Sequence, residues 1–277
     1  MASSSEISTN LSAPPRLRVQ TLGQFRVWLD GVEIGQTVWG REAALQLFQF
    51  LITTRRRGLK LHKEQIIDRL WPELDVDSGD RNFKVALHAA NKTLEPERKP
   101  RTEPYFIQRQ GLAYGLNLEA VWIDADAFEQ LISEGSQTLA QDRAVAIAHY
   151  QAALVLFHGE YLPERQYEDW STAERERLQI LALNVMTTVA ELVVETNPLE
   201  SIRLTQQVLT LDPVWENAYR IQMAAYLNQG NRPLAWRTYQ HCVKMLDEEL
   251  GLEPLPETQA LLKQIENLHP DVISSEE

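Results

Sequence analysis

Between Asp80 and Glu95 the sequence DRNFKVALHAANKTLE places guanidinium, ammonium, imidazole and carboxamide groups on one side of a single helix. Counted from Arg81, Lys84, His88, Asn91 and Lys92 all return near the starting angle at 3.6 residues per turn. Phe83, Ala86, Leu87, Ala90 and Leu94 gather on the other side, the stripe that such a helix buries. The polar set is the one that reads base edges and grips phosphates, so the chemistry in view is recognition of a nucleic acid. A solvated basic face would carry the same residues, and the helix by itself does not separate the two readings.

The flanking elements argue for recognition. REAALQLFQFLITT, residues 41–54, has the apolar spacing of a first core helix. HKEQIIDRLW, residues 62–71, reads as a short helix with Ile66, Ile67, Leu70 and Trp71 inward, closed by Pro72. A loop over PELDVDSGD then leads to the basic helix. Downstream, YFIQRQGLAYGLNL, residues 105–118, predicts a hairpin turning around Gln110 and Gly111. At the front LRVQTLGQFRVWLDGVEI adds alternating strands, with Asp30-Gly31 as a turn. Helix, helix, recognition helix and hairpin is the order of a winged helix-turn-helix, with Arg109 and Gln110 at the tip of the wing. Lys63, near the start of the second helix, would join that helix's N-terminal amides in fixing a phosphate.

Composition bounds the alternatives. The 277 residues carry a net charge of −12, the wrong sign for a simple DNA binder. The charge is segregated, however: residues 16–122 hold 17 Lys and Arg against 13 Asp and Glu, and residues 123–277 hold 10 against 25. That favours an anion-binding N-terminal module tied to an acidic body, which would keep non-specific DNA affinity low. Residues 1–15 are Ser-rich and Pro-terminated, the composition of a disordered leader, and residues 269–277 form a short tail. No run of about eighteen apolar residues occurs, so no membrane partner and a cytoplasmic location are expected. The single cysteine, Cys242, lies on an apolar-periodic helix and reads as a buried structural thiol. The histidines lack ligand spacing, and there is no P-loop, GxGxxG after a strand, HExxH or nucleophile elbow. We therefore expect no metal, no cofactor and no enzymatic activity.

The second half is helical by pattern. Asp124 can cap a helix through Ile132, and Ala144 to Leu156 forms another. Ser171 to Glu174 has the form of a capping box opening a long helix. Asp212 and Pro213 predict an N-cap followed by a first helical residue. Helices over 214–229 and 233–250 are separated by Gly230-Asn231, and Gly251 ends the second. LTLDP and LGLEP recur 41 residues apart, a stretched tetratricopeptide-like period whose concave side either binds a partner or is filled by the chain itself. Trp215, Tyr219 and Trp236 are expected in the core.

The opening LGQFRVWLDG, the helix ending IIDRLW, the wing QRQGLAYGLN and the following WIDADAFEQLISEG resemble the antibiotic-regulatory-protein type of bacterial transcriptional activator. The resemblance continues through HYQAALVLFHGEYLP, EDWSTAERERLQ and AYLNQGNRPLAWRTYQHCVKMLDEELGLEP, and so spans Leu17 to Leu268. It implies a mainly helical protein: an OmpR-like winged helix with a small sheet and wing over 16–122, then an all-helical bacterial transcriptional activator domain over 123–268. It also implies double-stranded DNA as partner, binding to direct repeats as side-by-side protomers, that is, a homodimer on DNA. RNA polymerase and its sigma factor would be recruited, with Pro72 to Gly79 as the segment that touches polymerase. Phe83 and Lys84, and NKTLEP in place of an arginine-rich run, depart from the family pattern. Two other arrangements are open: a helical-repeat adaptor whose winged domain binds DNA weakly or not at all, and a chain that acts only beside a separate sensor protein.

Overall fold

The computed structural model describes residues 16–57 and 60–267, so the leader and tail expected at 1–15 and 269–277 lie outside the described residues. In chain order the N-terminal elements are β1 (Leu17–Gln20), β2 (Arg26–Leu29), β3 (Val32–Glu33), α1 (Glu42–Thr54), β4 (Leu61–His62), α2 (Lys63–Leu70) and α3 (Val76–Leu94). There follow β5 (Ile107–Gln110), β6 (Ala113–Leu116), β7 (Val121–Ile123), α4 (Asp124–Thr138), α5 (Arg143–Leu156) and α6 (Asp169–Val193). The chain continues with α7 (Pro198–Leu211), α8 (Glu216–Asn228), α9 (Arg232–Leu250) and α10 (Pro256–Asn267). The mainly helical class, with small N-terminal sheets and a wing, is as the sequence implied.

Two compact units result: residues 1–127 with 158–176, and residues 128–157 with 177–277. In the first, a sheet of order β3-β2-β1-β7 is built from antiparallel hairpins and one parallel pair, Leu17 opposite Val121. Asp30 and Gly31 both have positive φ, as the two-residue hairpin turn of the primed type demands. The inner face of the sheet is apolar, with Leu17, Val19 and Val27 at most 1% exposed. Phe48 of α1 stacks on Trp39 at 5.2 Å and meets Phe25 edge-on at 6.4 Å.

A segment that the division at 122/123 puts with the helical region also packs into this unit. Tyr161 is buried and its hydroxyl pairs with Thr53 at 2.9 Å, while Leu162 donates its N–H to the Thr21 carbonyl. Arg165 donates from Nε to Gln49 at 2.7 Å, and Trp170 meets Phe50 edge-on. The capping box expected at Ser171 does not form. The helix begins at Asp169, and the buried Ser171 hydroxyl donates to the Arg165 and Glu168 carbonyls while accepting from the Arg175 guanidinium.

In the second unit consecutive helices pack in sequence, α7 against α8, α8 against α9 and α9 against α10. Gly135 allows close packing of two helices, because a Cβ there would sit 2.6 Å from the Tyr150 ring. Asn197 caps α7 and Asn231 caps α9, and Gly251 ends α9, as expected, in the left-handed region at φ 64. At Asp212 the expectation fails. Its carboxylate accepts from the Val214 N–H in a tight turn, and the next helix starts only at Glu216. Cys242 is fully buried with Tyr219 and Leu246, and burial pushes its thiol up to about 12. Tyr219 is core, but Trp236 is 38% exposed and stacks over Tyr239 at the surface.

Candidate nucleic-acid interface

The helix pair α2 and α3 is set by caps on both members. His62 precedes α2, with its Nδ1 accepting from the Glu64 N–H while Gln65 reaches back to the His62 N–H. Asp75 caps α3 by accepting from the Asp77 and Ser78 N–H groups, and hydrogen bonding by the Ser78 side chain, with these backbone groups, lowers its carboxyl pKa. That cap starts α3 at Val76, four residues before the expected Asp80. The loop foreseen over Pro72 to Gly79 is accordingly reduced to Pro72–Asp75, and its second half is the first turn of α3. Gly79 is what lets the two helices approach, since a Cβ on it would lie 2.7 Å from Cγ2 of Ile67.

Around α3 the packing divides the residues sharply. Phe83, Ala86, Ala90 and Leu94 are at most 1% exposed, and the Phe83 ring meets Tyr114 of the wing edge-on at 5.0 Å. Arg81, Lys84, His88 and Lys92 are exposed, as expected. Asn91 is not: it is 5% exposed and its Oδ1 has no hydrogen-bond partner, so its inclusion among base-reading candidates is corrected. Asn91 lies roughly 80° round the helix from Arg81, at the edge of the polar face, and only about 20° beyond the exposed Lys84, so what is packed against that edge rather than helical phase covers it. The position that does complete the exposed arc is Val85, 41% exposed between Arg81, Lys84 and His88. Sequence reasoning passed over it because an apolar residue is ordinarily assigned inward.

Electrostatics reshape the rest of the site. Asp80 takes Lys63 Nζ on one carboxylate oxygen and Lys84 Nζ on the other, each at 2.6 Å. The two ammonium groups hold the Asp80 carboxyl down to about 2, and its hydrogen bond raises the Lys63 pKa. Two candidate cations are therefore tied to one anion. Lys63 also donates its own N–H to the Leu112 carbonyl at 2.9 Å, joining α2 to the wing. Arg81 donates to the Ser78 hydroxyl at 3.1 Å.

The wing is three-stranded, β4-β6-β5, with Leu61 opposite Tyr114. Gln110 pairs with Ala113, leaving Gly111 at φ 63 and Leu112 as the two-residue loop. Arg109 donates from Nε to the Gly111 carbonyl at 2.6 Å, and its guanidinium sits 5.9 Å from the Tyr114 ring centroid. Arg109 and Gln110 are both exposed at the tip, as expected. Among the described residues no group of three or more His, Cys, Asp or Glu is arranged to hold a metal ion, and no helix is long and apolar enough to cross a membrane.

Residues 123–266 match the family described as the bacterial transcriptional activator domain. The chain is 22% identical over 200 residues to the transcriptional regulator RedD of Streptomyces coelicolor, covering 71% of this chain and 57% of RedD. It is 24% identical to the regulatory protein AfsR of Streptomyces griseus and 25% identical to that of Streptomyces coelicolor, covering 90% and 92% of this chain but 24% of each AfsR. The chain thus spans less than two thirds of these relatives' own length. Among solved structures, Mycobacterium tuberculosis EmbR in complex with a low affinity phosphopeptide superposes with a TM-score of 0.77 at 20% identity, over 93% of this chain and 66% of that one. That likeness is one of fold.

Proposed function

The chain belongs to the bacterial transcriptional activator domain family, and from that membership we propose that it is a sequence-specific DNA-binding transcriptional regulator that acts as an activator. One observation carries the reading: α3 presents Arg81, Lys84, His88 and Lys92 outward from a helix-turn-helix whose wing exposes Arg109 and Gln110. In this mechanism α3 lies in the major groove, with Arg81, Lys84 and His88 at base edges and Lys92 and Lys63 at phosphates. The wing meets the neighbouring minor groove. Each good base contact is worth about 1–3 kcal/mol of discrimination. Residues 16–122 would be the DNA-binding module and 123–268 the activator region. Two protomers side by side on direct repeats about one helical turn apart would then recruit RNA polymerase through its sigma factor.

A second reading, the helical-repeat adaptor with little DNA affinity, draws on the Asp80 bridge, which neutralises part of the basic face. Selection of bound sequences from a random duplex pool separates the two. With the regulator, a repeated motif is enriched, salt weakens binding steeply, and Arg81→Glu/Lys84→Glu abolishes it. If no motif emerges and the double variant binds as the wild type does, direct readout is wrong and the adaptor reading replaces it.

A further inference from the structure

The geometry points to Val85 as a specificity-determining residue that reads the C5-methyl group of thymine in the major groove. The inference rests on the DNA-binding reading above and adds the chemistry of one base contact to it. Val85 is 41% exposed in the middle of a 19-residue helix, on the arc shared by Arg81, Lys84, His88 and Lys92. Helix propensity does not account for an isopropyl group there. A β-branched residue is a poorer helix former than alanine at a solvated position, because the preceding turn restricts χ1. Its neighbours one turn away are Arg81, Asn82, His88 and Ala89, so the helix offers no apolar group larger than a methyl to shield it.

The polar groups around it sharpen the assignment. Lys84 is held by Asp80 at 2.6 Å, and Arg81 leans toward Ser78 at 3.1 Å, both toward the N-terminal end of α3. That leaves Val85 as a rigid apolar patch between a guanidinium and an imidazole. Of the four bases, only thymine presents a methyl group on its major-groove edge beside the hydrogen-bonding atoms. An apolar side chain that would desolvate a donor or acceptor is penalised opposite the others and rewarded opposite thymine. Val85 would therefore both favour a thymine and disfavour its alternatives at one position of each half-site.

The test uses the full chain and a duplex obtained by selection, with each thymine replaced in turn by deoxyuridine, which differs only by the methyl group. For the wild type, one replacement per half-site should weaken binding about fourfold, the equivalent of about 0.8 kcal/mol for one buried methyl. Val85→Ala, on an exposed helical position, keeps the fold and should bind thymine and uracil duplexes alike at that position. Binding of the selected duplex that tolerates uracil everywhere, or a Val85→Ala protein that retains the same uracil penalty, overturns the inference and leaves the regulator reading standing. Failure of the wild type to select any sequence overturns both.

Discussion

Asp80 governs how strongly the basic face can act. Its two oxygens hold Lys63 and Lys84, and its carboxyl sits at about 2 against an ordinary 3.8. Because the folded value is the lower one, the bridge's contribution to stability is present above 3.8 and disappears only as the pH falls through about 2. Across neutral pH the bridge is constant, so it sets a fixed electrostatic level rather than a switch. Asp80→Asn should release both lysines to phosphates. We expect tighter binding to duplexes of arbitrary sequence at low salt, and a slope of log affinity against log salt steeper by about two units, one for each lysine, read by fluorescence anisotropy over a salt series. An unchanged slope would mean that the lysines never reach the backbone. Arg81, Lys84, His88 and Lys92 were legible in the sequence because helical phase alone puts them together. Asn91 was misjudged and Val85 missed because burial at the edge of a face depends on what is packed there, not on residue type.

At the level of elements, the spacing between α2 and α3 is the quantity that aims the exposed face. Gly79 fixes it: a Cβ would fall 2.7 Å from Cγ2 of Ile67, well inside van der Waals contact. Gly79→Ala gains helix propensity of about 1 kcal/mol but forces the helices apart, at a cost of roughly 1–3 kcal/mol. The net expectation is a loss of about 1 kcal/mol in thermal unfolding together with weaker selection of sequence, since α3 would tilt. A variant that is more stable than wild type would show that the contact relaxes freely. Element ends followed local chemistry where one residue decided them, as at the capping side chains of Asn197 and Asn231 and the left-handed backbone of Gly251. They departed from expectation at Ser171 and Asp212, where a competing hydrogen bond took the group, and at the start of α3, where the Asp75 cap extends the helix back to Val76.

At the largest scale, the first compact unit is held by contacts between residues far apart in sequence. Asp124 is 2% exposed and accepts from the Thr21 N–H, the Thr21 hydroxyl and the Leu22 N–H, at 2.6 to 2.9 Å, as well as from the Ala125 N–H. Burial pushes its carboxyl up, against the pull of these donors. Beside it Arg55, with a side chain 1% exposed, donates to Asp126 and pairs with Glu174 at 3.5 Å. Asp124→Asn places an amide donor against N–H groups that need acceptors. We expect a loss of about 1–3 kcal/mol in denaturant unfolding, with the end of β1 opening first in hydrogen exchange. Native-like stability of this variant would refute the role of the buried carboxylate. The net charge of −12 conceals this organisation, since its acidic excess lies beyond residue 122 and the candidate interface lies before it.

The helical phase of Arg81 to Lys92, the turn at Asp30-Gly31, the break at Gly230-Asn231 and the end at Gly251 were determined by the sequence alone. Each depends on φ restrictions, caps or periodicity acting over a few residues, and such forces are written into adjacent letters. Tertiary structure alone decided that β7 pairs in parallel with β1, that Tyr161 and Arg165 return to pack on α1, that Asn91 is buried and that Trp236 and Val85 are not. Those outcomes depend on which distant surface removes a side chain from water. No window of neighbouring residues contains that information, because burial belongs to the assembled neighbours rather than to the residue.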